Sequence, residues 1–153
     1  MCADPKHEIA KQFVRNGGSC LAVDERFRCD PEIALAAILG RRQAVTEIAP
    51  ELLSDREFVL RAAQQRPMVM ENADPELRLD PDFQLAAIRL QPSIVRYLEL
   101  DLMQNREFLL AATEDNLEVL KWLPDDLRQN VEFARDSLAR SLNQPRRLGD
   151  VLN

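Results

Sequence analysis

The 153 residues are 46% hydrophobic and 30% charged with only 4 glycines, a mixture too apolar for a disordered chain and long enough for one domain with its own core. Twenty basic against 26 acidic side chains leave a net charge of -6, which argues against the clustered cations by which nucleic-acid binders displace phosphate counterions. No apolar run approaches the roughly 20 residues that cross a bilayer, and Met1 to Lys11 lack the apolar stretch of a classical secretory signal, so the expected location is cytoplasmic.

Aromatics stand at 5%, and Ala, Leu, Glu, Arg and Gln dominate, so helix formers prevail over β-branched runs. Residues 4–29 read as a degenerate leading unit in which Ile9, Phe13, Leu21 and Val23 face inward and Gly17-Gly18 makes a turn. His7, the single histidine, is expected on the surface near the N-terminus. Cys2, Cys20 and Cys29 form an odd set without framework spacing, which suits free thiols in a reducing compartment, with a Cys20–Cys29 disulfide as the alternative.

From residue 30 the chain repeats itself every 25 residues. The markers are Asp30, Asp55, Asp80, Asn105 and Asn130, each a side chain that accepts from free N–H groups of a first helical turn. Three residues on stand Ile33, Phe58, Phe83, Phe108 and Phe133; seven on stand Ala37, Ala62, Ala87, Ala112 and Ser137, small enough for a close helix crossing. Three residues before the markers come Phe27, Leu52, Leu77, Leu102 and Leu127. Pro31 and Pro81 fit the first helical position, and Glu32, Glu57, Asp82, Glu107 and Glu132 complement the helix dipole.

After each first helix comes a break, at Gly40-Arg41-Arg42, Arg66-Pro67, Gln91-Pro92 and Asp115-Asn116. A second helix is predicted there, starting at Pro67 and Pro92 in two of the units and ended by Pro50, Pro75 and Pro124. Its apolar pairs are Val45 with Ile48, Met70 with Ala73, Val95 with Leu98, and Leu120 with Leu123. Helices of eight or nine residues are marginal alone, so neighbours must stack. The predicted fold is an all-α, right-handed-type helical-hairpin repeat solenoid of about five units of 25 residues, one domain over 4–142. Arg135 and Asp136 make the last unit polar, as a terminal cap requires, and 143–153 is expected to be a flexible tail.

The unit D-x-E-F-x-L-A-A, followed by a break, an apolar pair and a closing L-x-x-D, is carried best by Asp80 to Ala87 and Asn105 to Ala112. It resembles the tandem repeats of domain of unknown function 4116, over about residues 20–138; leucine-rich repeat variants are the next closest likeness. The resemblance implies a bacterial protein, in some cases an effector delivered into the host cell cytosol, with no established catalytic role.

Chemistry is hard to find in the chain. A single His and no paired Cys spacing argue against a metal site, and no phosphate-cradling loop, nucleophile elbow or metalloprotease motif occurs. The carboxylates Asp125-Asp126, Asp80 with Asp82, and Glu114-Asp115 lie where helix capping and solubility account for them. Cys29 precedes a helix cap, the setting of a reactive thiolate, whereas Cys20 shares the core register of Val45 and Met70.

The remaining signal is a surface. At one polar register stand Glu47, Asn72, Tyr97 and Trp122, and one residue earlier Thr46, Glu71, Arg96 and Lys121. Aromatic rings beside cations commonly anchor interfaces, so Tyr97, Trp122, Arg96, Lys121, Glu71 and Asn72 are the candidate partner surface, with partial core coverage by both rings as the alternative. A second stripe, Arg41, Arg42, Arg66 and Arg89, lies near the breaks. The expected function is a non-enzymatic protein–protein interaction module, without cofactor, nucleic acid or membrane. The alternative is a small acidic inhibitor or immunity protein that neutralises a basic toxin or nuclease.

Overall fold

A computed structural model describes residues 4–143, and all regular secondary structure among them is helical. The repeat markers open the main helices. Asp30 accepts from the amides of Glu32 and Ile33 at 2.9 and 3.1 Å, heading α3 (Pro31–Gly40). In the same way Asp55 caps α5 (Arg56–Gln65), Asp80 caps α7 (Pro81–Leu90) and Asn105 caps α9 (Arg106–Asp115). Asn130 accepts from the Phe133 amide at 3.0 Å and heads α11 (Val131–Asn143). Each cap satisfies N–H groups that the helix cannot satisfy internally.

The second half of each unit departs from the expected α-helix. Arg41, Arg66, Gln91 and Asn116 adopt extended backbone that stops the main helix. Six-residue 3-10 segments follow, at Arg42–Glu47, Pro67–Asn72, Pro92–Tyr97 and Leu117–Trp122. Pro50 and Pro75 do not end a helix but begin the short turns α4 (Pro50–Leu53) and α6 (Pro75–Leu79), and Pro124 precedes α10 (Asp125–Arg128). The physical reason is the missing N–H: at a first helical turn that group has no partner to lose. The equivalent turns α2 (Glu25–Arg28) and α8 (Leu100–Met103) open without proline. A unit is thus a main helix, a 3-10 segment and one α turn, and the turn carries Phe27, Leu52, Leu77, Leu102 or Leu127 back toward the core.

Burial follows the period. The residues three and seven positions after the marker are all buried, from Ile33 and Ala37 to Phe133 and Ser137. A fully buried side chain the size of Phe contributes about 1.5–3 kcal/mol. Ala44, Val69, Ile94 and Val119, fourteen after the marker, form a further buried line beside the anticipated Val45, Met70 and Val95. Successive main helices touch, α3 with α5, α5 with α7, α7 with α9 and α9 with α11, and so do successive 3-10 segments. Gln84 interrupts the apolar line of Ala34, Val59 and Leu109; it is 2% exposed, and its Nε2 donates to the Leu77 carbonyl at 2.9 Å.

The leading unit packs by a different stripe from the one expected. On α1 (Pro5–Arg15), Ala10 and Val14 face α3, while Ile9 is 69% and Phe13 47% exposed. Ala10 and Val14 are four residues apart, on one face of the helix, which turns Ile9 and Phe13 aside. Leu21 is also exposed, and Cys20 and Val23 take the inward places. Gly17 turns the chain at φ +96°, and the Phe13 ring lies where a Gly18 side chain would be. His7 is half-buried rather than solvated: its Nε2 lies 3.1 Å from Asp30 Oδ2, and its ring meets Phe27 edge-on.

At the other end Arg135 is exposed and Asp136 pairs with Arg106 at 2.7 Å. Helix α11 runs through Asn143, one residue past the expected domain limit; the remainder of the predicted flexible tail lies outside the described residues.

Candidate interaction surface

The 3-10 segments set the geometry of the predicted surface. With close to three residues per turn, neighbouring side chains point in different directions, so each segment buries one or two middle residues and turns the next outward. In Pro92–Tyr97, Ile94 and Val95 are buried, Arg96 is exposed and Tyr97 is half-buried. In Leu117–Trp122, Val119 is buried while Lys121 and Trp122 are exposed. In Pro67–Asn72, Glu71 is exposed and Asn72 half-buried.

The six candidate residues therefore do not form one uniform patch. Trp122 is 40% exposed, and the Arg96 guanidinium carbon sits 5.8 Å from its ring centroid, a cation–π contact across one repeat step. Lys121 is drawn away to Glu118, with Nζ 2.9 Å from Oε1. Tyr97 packs its ring partly on the core and presents the rest to a cleft of about 480 Å³. Arg42, Gln65, Arg66, Pro67, Met68 and Glu71 line the remainder of that cleft. Gln65 and Met68 carried no signal in the sequence; they reach the cleft because they flank the extended Arg66 and the proline after it.

The arginine stripe also divides. Arg41 is bound to Glu47 and Arg89 to Asp115, at 2.5 and 2.6 Å. Arg66 donates to the Leu39 carbonyl at 3.2 Å, and neither it nor Arg42 pairs with a carboxylate among the described residues. Glu47 is the most tightly held group of its register. Its carboxylate also accepts from the Ser19 hydroxyl at 2.7 Å and the Cys20 amide at 2.9 Å. Burial works against its charge, but these donors and Arg41 outweigh it and hold the carboxyl below the usual glutamate range.

Of the reactive groups considered from the sequence, Cys20, Asp80, Asp115 and Asp125 are occupied or muted, and Cys29 is exposed. Cys20 and Cys29 are both free thiols. Burial and the Glu47 charge push the Cys20 thiol up, away from thiolate. Asp80 is held low, first by the Arg56 guanidinium and then by the Phe83 amide it caps. Asp125 pairs with Arg128 and Asp115 with Arg89. Among the described residues no group of three His, Cys, Asp or Glu is placed to hold a metal ion, and no helix is long and apolar enough to cross a membrane.

The helices and the polar cleft between 3-10 segments define an all-helical protein with a candidate interaction surface. The chain belongs to the family described as Domain of unknown function (DUF4116), whose model matches residues 43–78 and 80–135. Those limits cover the three central main helices and the start of the last one. Neither a curated protein nor a solved structure matches the chain.

Proposed function

We propose that the chain is a right-handed-type solenoid of helical repeats that acts as a non-enzymatic protein–protein interaction module. The observation that carries this reading is the row of 3-10 segments. It holds Arg96 against the exposed face of Trp122 and leaves part of Tyr97 open to a polar cleft one step away. Rigid amphipathic rings beside cations are the side chains that dominate binding energy at protein interfaces. A partner that spans neighbouring units would engage both.

The test is capture of partners by the wild-type chain and by Arg96→Ala and Trp122→Ala from the same lysate. Proteins retained by the wild type and lost with both variants support the reading. Equal retention by all three overturns it. The extended shape is tested by small-angle scattering, since a compact chain of this size has a radius of gyration near 15 Å and stacked units give a larger one.

A second reading, an acidic inhibitor of a basic toxin, rests on the net charge of -6. Delivery as a bacterial effector is a further proposal, which only the resemblance noted in the sequence suggests. Rescue of cells from a co-expressed toxin supports the inhibitor; appearance of the chain in infected host cytosol supports the effector.

A further inference from the structure

The repeat contains a carboxylate pocket in one unit and the same pocket without its carboxylate in the next. Arg41 and Arg66 occupy equivalent positions, eleven after the markers Asp30 and Asp55. Six residues beyond Arg41 stands Glu47, whose Oε1 lies 2.5 Å from the guanidinium. Six residues beyond Arg66 stands Asn72, which carries no charge. The guanidinium of Arg66 keeps only the Leu39 carbonyl, at 3.2 Å, and Arg42 of the preceding unit lines the same cleft.

Ten of the described arginines pair with a carboxylate, whereas Arg42 and Arg66, with Arg15, Arg61 and Arg96, do not. Two unpaired guanidinium groups in one cleft present a fork suited to carboxylate oxygens. The cleft also supplies the Tyr97 ring, Met68 and the amide of Gln65, which suit a neighbouring apolar side chain and a backbone group.

We propose that this cleft receives an acidic peptide segment of a partner protein, one carboxylate of which takes, between Arg42 and Arg66, the place Glu47 fills for Arg41. The proposal rests on the interaction reading above and names the chemistry of the partner. A nucleic acid fits less well: its charge is continuous, and Glu71 in the cleft and the net charge of -6 repel a polyanion. A peptide with an isolated carboxylate avoids that repulsion.

The experiment uses the full ¹⁵N-labelled chain and follows the arginine Nε–Hε resonances. The probes are the pentapeptide acetyl-Gly-Glu-Phe-Gly-Gly-amide, which carries one carboxylate, its counterpart with lysine in place of glutamate, inorganic phosphate and a short oligothymidylate. The Arg42 and Arg66 resonances are expected to move saturably with the acidic pentapeptide alone. Arg66→Gln weakens that binding tenfold or more. Asn72→Glu weakens it comparably although no cation is removed, because it supplies the missing carboxylate from within. Arg89→Gln, which alters an already paired arginine, leaves it unchanged.

Absence of saturable movement at Arg42 and Arg66 overturns the proposal. So does phosphate or oligothymidylate binding as tightly as the peptide, or an Asn72→Glu variant that binds as the wild type does. If partner capture depends on Trp122 and Arg96 but is indifferent to Arg66→Gln and Asn72→Glu, the interaction reading survives and the acidic segment does not.

Discussion

Arg96 lies over the ring of Trp122, its guanidinium carbon 5.8 Å from the ring centroid, although the two residues belong to different units. The contact joins the 3-10 segment Pro92–Tyr97 to Leu117–Trp122. Because Trp122 remains 40% exposed, its removal strips one side of a surface contact without opening the core. Trp122→Ala is expected to fold and to lose about 1–2 kcal/mol, the sum of partial ring burial and an exposed cation–π contact. Urea denaturation measures this; a loss as large as that of a buried phenylalanine would place the ring in the core.

Phe83 provides that comparison. Its side chain is 0% exposed, and the Arg56 guanidinium carbon lies 5.0 Å from the ring centroid. Phe83→Ala is expected to cost about 3–5 kcal/mol, because neighbours from two units cannot both collapse into the space. A midpoint shift equivalent to less than about 1 kcal/mol would contradict its interior placement.

The Glu47 cluster makes stability depend on pH. The folded carboxyl is held below its ordinary range, so its contribution is complete above the unfolded-state pKa. It is lost as pH falls through the lower folded-state value. Glu47→Gln is expected to cost about 2 kcal/mol at neutral pH, the scale of hydrogen bonds to a charged group. The gap between wild type and variant should close in acid. A gap that stays constant from neutral pH down to pH about 3 would show that the charge on Glu47 contributes nothing.

Gly40 marks a close approach of chains. A Cβ there would lie 2.5 Å from the Arg15 carbonyl oxygen and 2.7 Å from that of Val14, both backbone atoms that cannot swing aside. Alanine ordinarily favours a helix by up to about 1 kcal/mol over glycine. Here the clash outweighs that gain, and Gly40→Ala is expected to destabilise by about 1–3 kcal/mol. Hydrogen exchange should show α1 amides losing protection first. Unchanged protection from Pro5 to Arg15 would mean the helices part without cost.

Much of the interior was legible before any coordinates. A five-fold recurrence of Asp or Asn, then Phe or Ile, then Ala or Ser is read directly, since a cap and a buried stripe are each local to one helix. Those residues do cap and do lie buried. Pro50 and Pro75 are ambiguous in sequence, because a proline stops the preceding helix and starts the next one by the same missing N–H, and here each starts a turn. Ile9 and Phe13 stand four residues apart just as Ala10 and Val14 do, so the spacing allows either inward face, and contact of α1 with α3 selects Ala10 and Val14.

The period, the caps and the core registers were properties of the amino-acid order alone, because each follows from the backbone repeat of a single helix. The cleft was not. Arg42, Arg66 and Tyr97 come from three different units, and their meeting depends on the angle at which one unit settles on the next. That angle is set by the packing of many side chains at once. Only the folded chain shows that Arg41 pairs with Glu47 whereas Arg66 pairs with no carboxylate among the described residues.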